Sequence, residues 1–331
     1  MRLFSSFGLP LSGLPLFGLP LFGLPLFGFP LFSLRVSGLR FLRVPLFFAR
    51  ISAFVLLYCC DSAQASPESA LHLLFENMRS AHLSFGAGIG EHSLTVTPTL
   101  VRGLYFVRNP ERNESLGVVN ESGTLVGGGA RGFAVFSEAG KPARRLSAEE
   151  VIALRAEIMA AIDYDRLVKV GYGNGGGRRI LEFSAVDCPS CQHFEGILQS
   201  MQSALNTTFY VVPTSLVPIN EGGGESWQTA AWIWCAPSNG RAWQNFWARQ
   251  APPHASSCRY DGASAQEEAG RLRMILRGAG VDVDYTPTFV LEDGSVVPAE
   301  GGRDGGYVAR YFGPGSRPPA KAPGTSHWLG S

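Results

Sequence analysis

Two cysteines, Cys188 and Cys191, stand where the apolar run 180–186 gives way to a segment headed by Pro189. The run reads as a buried strand. A proline, with its fixed φ and missing amide hydrogen, suits the first position of a helix. The pattern therefore predicts a strand, a tight turn and a helix over 189–205, with Cys188-Pro189-Ser190-Cys191 at the helix mouth. Two cysteines at i and i+3 on a helical turn can close a disulfide with little backbone movement. The first sits where unpaired amide donors and the helix dipole stabilise negative charge, which lowers a thiol's pKa. Its thiolate is then both nucleophile and leaving group near neutral pH. In this chemistry Cys188 attacks a disulfide to form a mixed disulfide, and the more buried Cys191 resolves it.

Whether such a pair does redox or metal chemistry depends on where the chain works. The chain has 331 residues, six of them Cys, and a formal net charge of +1. That balance offers no basic stripe to neutralise phosphates, which argues against a nucleic-acid binder. A hydrophobic content of 45% argues against disorder throughout. Residues 1–65 differ from the rest. Residues 8–32 are five pentads on the theme Gly-Leu-Pro-Leu-Phe, and a proline every fifth residue bars a continuous membrane helix. They read as an N-terminal extension without a role of its own or as an unusual membrane-associated leader.

Arg40, Arg43 and Arg50 then supply positive charge, residues 51–60 form a short apolar run, and Ala63-Gln64-Ala65 offers a small-residue cleavage site. This is the pattern of a secretory signal. The run is too short to span about 30 Å of hydrocarbon. Tyr58 is too bulky for the small residue that precedes a lipid-modified cysteine, so Cys59 and Cys60 do not read as an anchor. The mature chain is expected to begin near Ser66, outside the cytoplasm. Four cysteines remain there, Cys188, Cys191, Cys235 and Cys258. An even count in an oxidising compartment favours disulfide chemistry.

Residues 66–145 open with an apolar-periodic helix carrying Leu71, Leu74, Phe75 and Met78. Strand-like pieces follow at 93–96, 104–107, 116–119 and 124–126, the last two joined by a turn at 120–123. A Gly-rich antiparallel unit of this size has little core of its own and needs a partner surface. Ser147 and Glu150 have the form of a capping box, opening a helix with the apolar stripe Val151, Leu154, Ile158 and Ile162. That stripe packs on one of the two domains or spaces them apart. With the loop 171–177, which lacks the Lys and Ser/Thr of a phosphate cradle, it makes residues 146–178 a helical linker.

Residues 179–313 alternate strand and helix. After the cysteines come a strand at 208–212, helical segments at 226–247 and 264–278, and a hairpin of 288–291 with 295–297. Trp227, Trp232, Trp234, Trp243 and Trp247 have roughly helical spacing and read as core. An exposed patch for unfolded chains is the rival. Residues 314–331, rich in Pro, Gly and Ser, read as a disordered tail.

Zinc knuckles also use Cys-x-x-Cys, but four-cysteine sites want a second close pair, and Cys235 and Cys258 lie 23 residues apart. No metal and no cofactor is expected. The strand–Cys-x-x-Cys–helix segment resembles the active site of the thioredoxin fold. The longer pattern is similar to the periplasmic disulfide isomerases of the DsbC/DsbG family. Tyr285-Thr286-Pro287-Thr288, just before a strand, matches that family's cis-proline loop. The resemblance makes Thr286 and Pro287 an edge on which substrate pairs as an added strand. Cys235 and Cys258 match the family's second, structural disulfide, which would contribute roughly 3 kcal/mol on the chain-entropy estimate. Two reduced buried cysteines are the alternative.

The resemblance implies an α/β thioredoxin-like fold with a helical insertion, plus a small α+β N-terminal dimerisation domain over 66–145. It also implies a periplasmic homodimer, cleaved near Ala65, that rearranges incorrect disulfides in misfolded secreted proteins. A membrane thiol reductase of the DsbD type would keep it reduced. The chain departs from the family's pattern in places. Pro189-Ser190 differs from the usual dipeptide, and these two residues tune redox poise. Gln192 stands where a His is common, with His193 displaced by one and read as an ordinary surface or packing residue rather than an acid-base group. Glu182, six residues before Cys188, stands where thioredoxin and DsbA-type oxidases carry a buried acid. It is a candidate proton relay to Cys191, with a solvated, edge-facing Glu as the rival. Three functions stay open: isomerase, dithiol oxidase or maturation factor for one secreted apparatus, and a non-redox holdase chaperone.

Overall fold

The computed structural model describes residues 66–86, 88–173, 177–249, 258–298, 304–313 and 328–329. The pentads, the signal-like segment with its cleavage site at Ala65, and residues 174–176 of the glycine loop lie outside the described residues.

A six-stranded antiparallel meander runs in chain order: β1 (Thr95–Pro98), β2 (Leu104–Asn109), β3 (Glu114–Asn120), β4 (Leu125–Gly127), β5 (Phe133–Val135) and β6 (Arg144–Arg145). Alternation along its strands serves two buried faces. Tyr105, Val107 and Val119 pack with Leu71, Leu74 and Met78 of α1 (Pro67–Ser80). Leu104, Phe106, Val118, Leu125 and Phe133 turn the other way, into the main core. The partner surface that this unit needs is supplied by its own chain, through α6 (Gly262–Gly278). At Gly278 an added Cβ would stand 2.6 Å from Gly128 Cα and 2.7 Å from the Phe133 ring. The Arg271 guanidinium lies over the Phe106 ring, 4.7 Å from its centroid.

The second sheet has the order β10-β8-β9-β7, formed by β7 (Val168–Gly171), β8 (Arg178–Ala185), β9 (Thr207–Thr214) and β10 (Thr288–Val290). β8 and β9 are parallel, joined through α3 (Pro189–Ser200), and the outer strands are antiparallel. β10 returns through a bridge between Val290 and Val296, and α7 (Gly305–Phe312) follows. This is the strand arrangement of the thioredoxin fold. α4 (Gly224–Cys235), α5 (Asn239–Trp247) and α6 form the insertion between β9 and β10.

Several expectations change. The segment 226–247 is two helices, because Pro237 cannot donate to a helical ladder and the residue before it, Ala236, is held extended at ψ 138°. The helix from Pro189 stops at Ser200. The stretch 146–178 is not a free linker: β7 is a strand of the second sheet, and α2 (Ala148–Ala161) buries Leu154, Ile158 and Met159 in the shared core. Its capping box does form between Ser147 and Glu150. Within the tail expected to be disordered, Leu329 is buried. Asn120 Nδ2 donates to the Trp328 carbonyl at 2.6 Å, and the Trp328 amide donates to Glu157 Oε2 at 3.1 Å. Gly103, at φ +79°, leaves room for this tail: a Cβ there would stand 2.2 Å from the Leu329 carbonyl oxygen.

Cys235 and Cys258 are joined in a disulfide, with Cα atoms 5.1 Å apart. It anchors Tyr260, whose amide donates to Cys258 Sγ at 3.3 Å and whose ring lies 5.0 Å from that of Trp234. The Tyr260 hydroxyl accepts from Arg166, which also pairs with Glu268 at 2.7 Å. Arg166 sits in the turn leading into β7, so the disulfide braces the approach to the second sheet. Of the five tryptophans at helical spacing, Trp227, Trp234 and Trp243 are buried, as core packing requires. No helix among the described residues is long and apolar enough to cross a membrane.

The contact at Gly278 yields a prediction. Gly278→Val drives a side chain into Gly128 and Phe133, lowering the melting temperature. Amide exchange should rise in β4 and β5 before it rises in β8 and β9; uniform acceleration in both sheets would contradict the packing described.

Candidate active site

β8 delivers the chain to the site. Its last residues, Ser184 and Ala185, pair with Pro213 and Thr214 of β9, and the Val186 amide adds one more bond, to the Thr214 carbonyl at 2.9 Å. Asp187 then turns outward and ties down the chain that leaves β9. Its carboxylate accepts from Ser215 Oγ at 2.6 Å and from the Leu216 amide at 2.8 Å. The Cys188 amide donates back to the Ala185 carbonyl at 3.1 Å, closing the turn before Pro189 opens α3.

Cys188 is the N-cap of α3. Its Sγ accepts from the Cys191 amide at 3.4 Å, where a Ser or Thr oxygen would ordinarily cap. On the other side the Cys188 thiol donates to the Thr286 carbonyl at 3.6 Å, and the Thr286–Pro287 peptide bond is cis. Both cysteines are free thiols; Cys188 is 5% exposed and Cys191 is wholly buried. Trp247, at the end of α5, packs on Ala185, Cys188 and Cys191. Pro189, Ser190 and His193 are exposed. Leu216 and Val217, held in place by Asp187, put apolar surface beside the turn.

The two thiols are electrostatically unlike. Burial works against ionising Cys188, but the Thr286 hydroxyl, the Cys191 thiol and the amides of Cys191 and Ser190 together hold its pKa below the ordinary thiol value. Burial drives Cys191 far above that value, opposed in part by the Ser184 hydroxyl and the Ala185 backbone. One thiol is thus prepared to attack and the other to wait.

Glu182 is wholly buried on β8, which removes the solvated alternative. A second buried acid, Glu195, escaped the sequence reading. It lies four residues after Cys191 on α3, hence on the same helical face, and the Trp243 indole donates to its Oε1 at 2.7 Å. Burial pushes its pKa up to about 7. Tyr172, just after β7, is buried near both acids, and burial with their charges keeps its phenol protonated. The i+4 spacing from Cys191 was a usable signal for Glu195; the contributions of Tyr172 and Trp243 come from remote segments. Among the described residues no cluster of three His, Cys, Asp or Glu could hold a metal ion.

Fold and site together define a thioredoxin-like domain bearing a Cys-x-x-Cys dithiol. No protein-family model matches the chain, and no curated protein matches it. Among solved structures it is similar to a disulfide interchange protein from Neisseria gonorrhoeae, at 24% identity over 41% of this chain and 86% of that one, with a TM-score of 0.32. The catalytic domain of Proteus mirabilis ScsC is similar at 15% identity over 49% and 94%, with a TM-score of 0.35. Helicobacter pylori DsbG is similar at 13% identity over 60% and 93%, with a TM-score of 0.29. These are distant likenesses to part of the chain; what the site can do follows from its own geometry.

Two outcomes are expected. Iodoacetamide should label the reduced protein at Cys188 with a pH midpoint below the value of about 8.5 for free cysteine, leaving Cys191 unlabelled by peptide mass spectrometry. The raised pKa of Glu195 favours its protonated form in the fold. The associated stability is fully present below about pH 4.5 and lost as pH rises through about 7. Glu195→Gln keeps an acceptor for Trp243 and removes that loss, so urea midpoints of variant and parent should diverge in favour of the variant between pH 5 and pH 8.

Proposed function

We propose that the chain is a thiol–disulfide exchange enzyme for exported proteins, working as a protein disulfide isomerase. The observation that carries this reading is an acidified thiol at a helix mouth, with a buried partner thiol behind it and the Thr286–Pro287 edge opposite. The Cys188 thiolate attacks a substrate disulfide, one substrate sulfur leaves as thiolate, and a mixed disulfide forms. The freed thiolate then attacks another disulfide of the substrate until Cys188 is released. When this stalls, Cys191 attacks Cys188 Sγ, expels the substrate and leaves a Cys188–Cys191 disulfide for a membrane thiol reductase of the DsbD type to reduce. Glu182, buried behind the dithiol, takes and returns the Cys191 proton.

Misfolded substrates pair along the Thr286–Pro287 edge, with Leu216 and Val217 adding apolar contact. The Cys235–Cys258 disulfide and the signal-like leader support export to the periplasm. Both faces of the meander are covered by the chain itself, so a second copy in a homodimer would meet an edge strand. Of the two edges, β1 lacks the paired arginines of β6.

One observation favours a dithiol oxidase instead: Glu182 is wholly buried at the position where the sequence resemblance places the acid of the oxidases. Refolding of scrambled ribonuclease separates the functions. Cys188→Ser should abolish activity, and Cys191→Ala should retain part of it while accumulating mixed disulfides on non-reducing gels. Undiminished activity in Cys188→Ser would leave only a holdase. A Cys188/Cys191 reduction potential near about −120 mV, with little isomerisation, would make the enzyme an oxidase.

A further inference from the structure

Ser184 is used by nothing in the mechanism above. It lies on β8, wholly buried, and its hydroxyl makes no well-formed hydrogen bond while both cysteines are thiols. A buried hydroxyl left in that state is a standing cost, which needs an explanation elsewhere in the reaction. Its side chain lies on the face of β8 that carries Glu182, two residues back, and its hydroxyl is placed to act on the Cys191 sulfur.

We infer that Ser184 is a catalytic hydrogen-bond donor for the resolving step, its hydroxyl pairing with Cys191 when that sulfur becomes a thiolate. The inference rests on the proposed exchange chemistry and deepens it. In the step concerned, the Cys191 thiol gives up its proton and its thiolate attacks Cys188 Sγ. The Cys188–substrate bond breaks, the Cys188–Cys191 bond forms, and the substrate sulfur leaves with the electron pair and takes up the proton. The substrate sulfur is reduced, Cys191 is oxidised, and no other reagent enters. In reverse, Cys191 is the leaving thiolate and the same donor receives it. The titratable group that acts on this sulfur is Cys188 at the start of α3; the buried acids of the same two elements are Glu195, one turn along α3, and Glu182, two residues before Ser184 on β8. Thr286 adds a second hydroxyl from the loop opposite. Both acids oppose negative charge on Cys191 when ionised, which leaves the hydroxyls to stabilise it.

The test uses 5,5′-dithiobis(2-nitrobenzoate) with the reduced protein. The first nitrothiobenzoate released reports attack by Cys188, and the second reports attack by Cys191 on the mixed disulfide. Ser184→Ala is expected to slow the second release about tenfold at pH 7, since a hydrogen bond to a charged acceptor is worth at least that factor. The first release should stay within about twofold, and the pH midpoint of the second should rise by about one unit, equivalent to the same tenfold factor. Ser184→Thr, which keeps the hydroxyl, should restore both. A second release unchanged in Ser184→Ala, or both releases slowed alike, overturns the assignment. So does marked destabilisation of Ser184→Ala, because the hydroxyl would then already have a partner in the dithiol state. Loss of the first release in the parent protein would sink the exchange reading itself, a different failure from that of Ser184.

Discussion

The whole site depends on a helix capped by sulfur. An N-cap normally offers an oxygen to the amides that a helix leaves unpaired at its start. Here Cys188 Sγ takes that place. The amide that would have stabilised a cap oxygen instead stabilises whatever negative charge the sulfur acquires, so the interaction that starts the helix also prepares the nucleophile. Everything nearby fixes that turn: the in-register end of β8 and β9, the Asp187 carboxylate holding the chain at 215–216, and Pro189 at the first helical position. The pair is asymmetric for the same reason. Three residues further on, Cys191 has turned inward, away from the amides and away from water.

Several polar side chains are buried around the dithiol's strand and helix. Glu182 and Ser184 come from β8, Glu195 from α3 and Tyr172 from the residue after β7, with Trp243 fixing the Glu195 carboxylate by its indole hydrogen. Burying several ionisable groups together is unfavourable for stability, and hydrophobic replacements would serve packing better. Such a cluster makes physical sense beside a sulfur that has to lose and regain a proton without touching solvent. On the outer surface the chemistry is different: Pro189 and Ser190 are exposed, and Leu216 and Val217 add apolar surface beside the turn.

Local signals were legible, and contacts between distant segments were not. The strand–turn–helix at 180–200 could be read because apolar run, proline and cysteine spacing all act within one short stretch. The Ser147–Glu150 capping box is equally local. The Cys235–Cys258 pairing and the loop at Thr286–Pro287 came from resemblance rather than from pattern, and both lie where it placed them. β5 and β6 were missed because three residues and two residues, the latter both arginine, carry no periodic signal. β7 alternates Val168-Lys169-Val170-Gly171, but its helix-and-glycine surroundings disguised it as linker. Asp187 reads as an ordinary polar turn residue until the chain after β9 is seen to come back to it. The surface on which the meander packs, α6, begins more than a hundred residues later in the chain, beyond the reach of any local pattern.

The seating of the meander on α6, with the stripe of α2 in the same core, gives the two sheets one interior. The chain that passes from β6 to β7 is taken up by α2, whose Leu154, Ile158 and Met159 lie in that interior. The segment between the two sheets is therefore a packed part of the molecule and no tether.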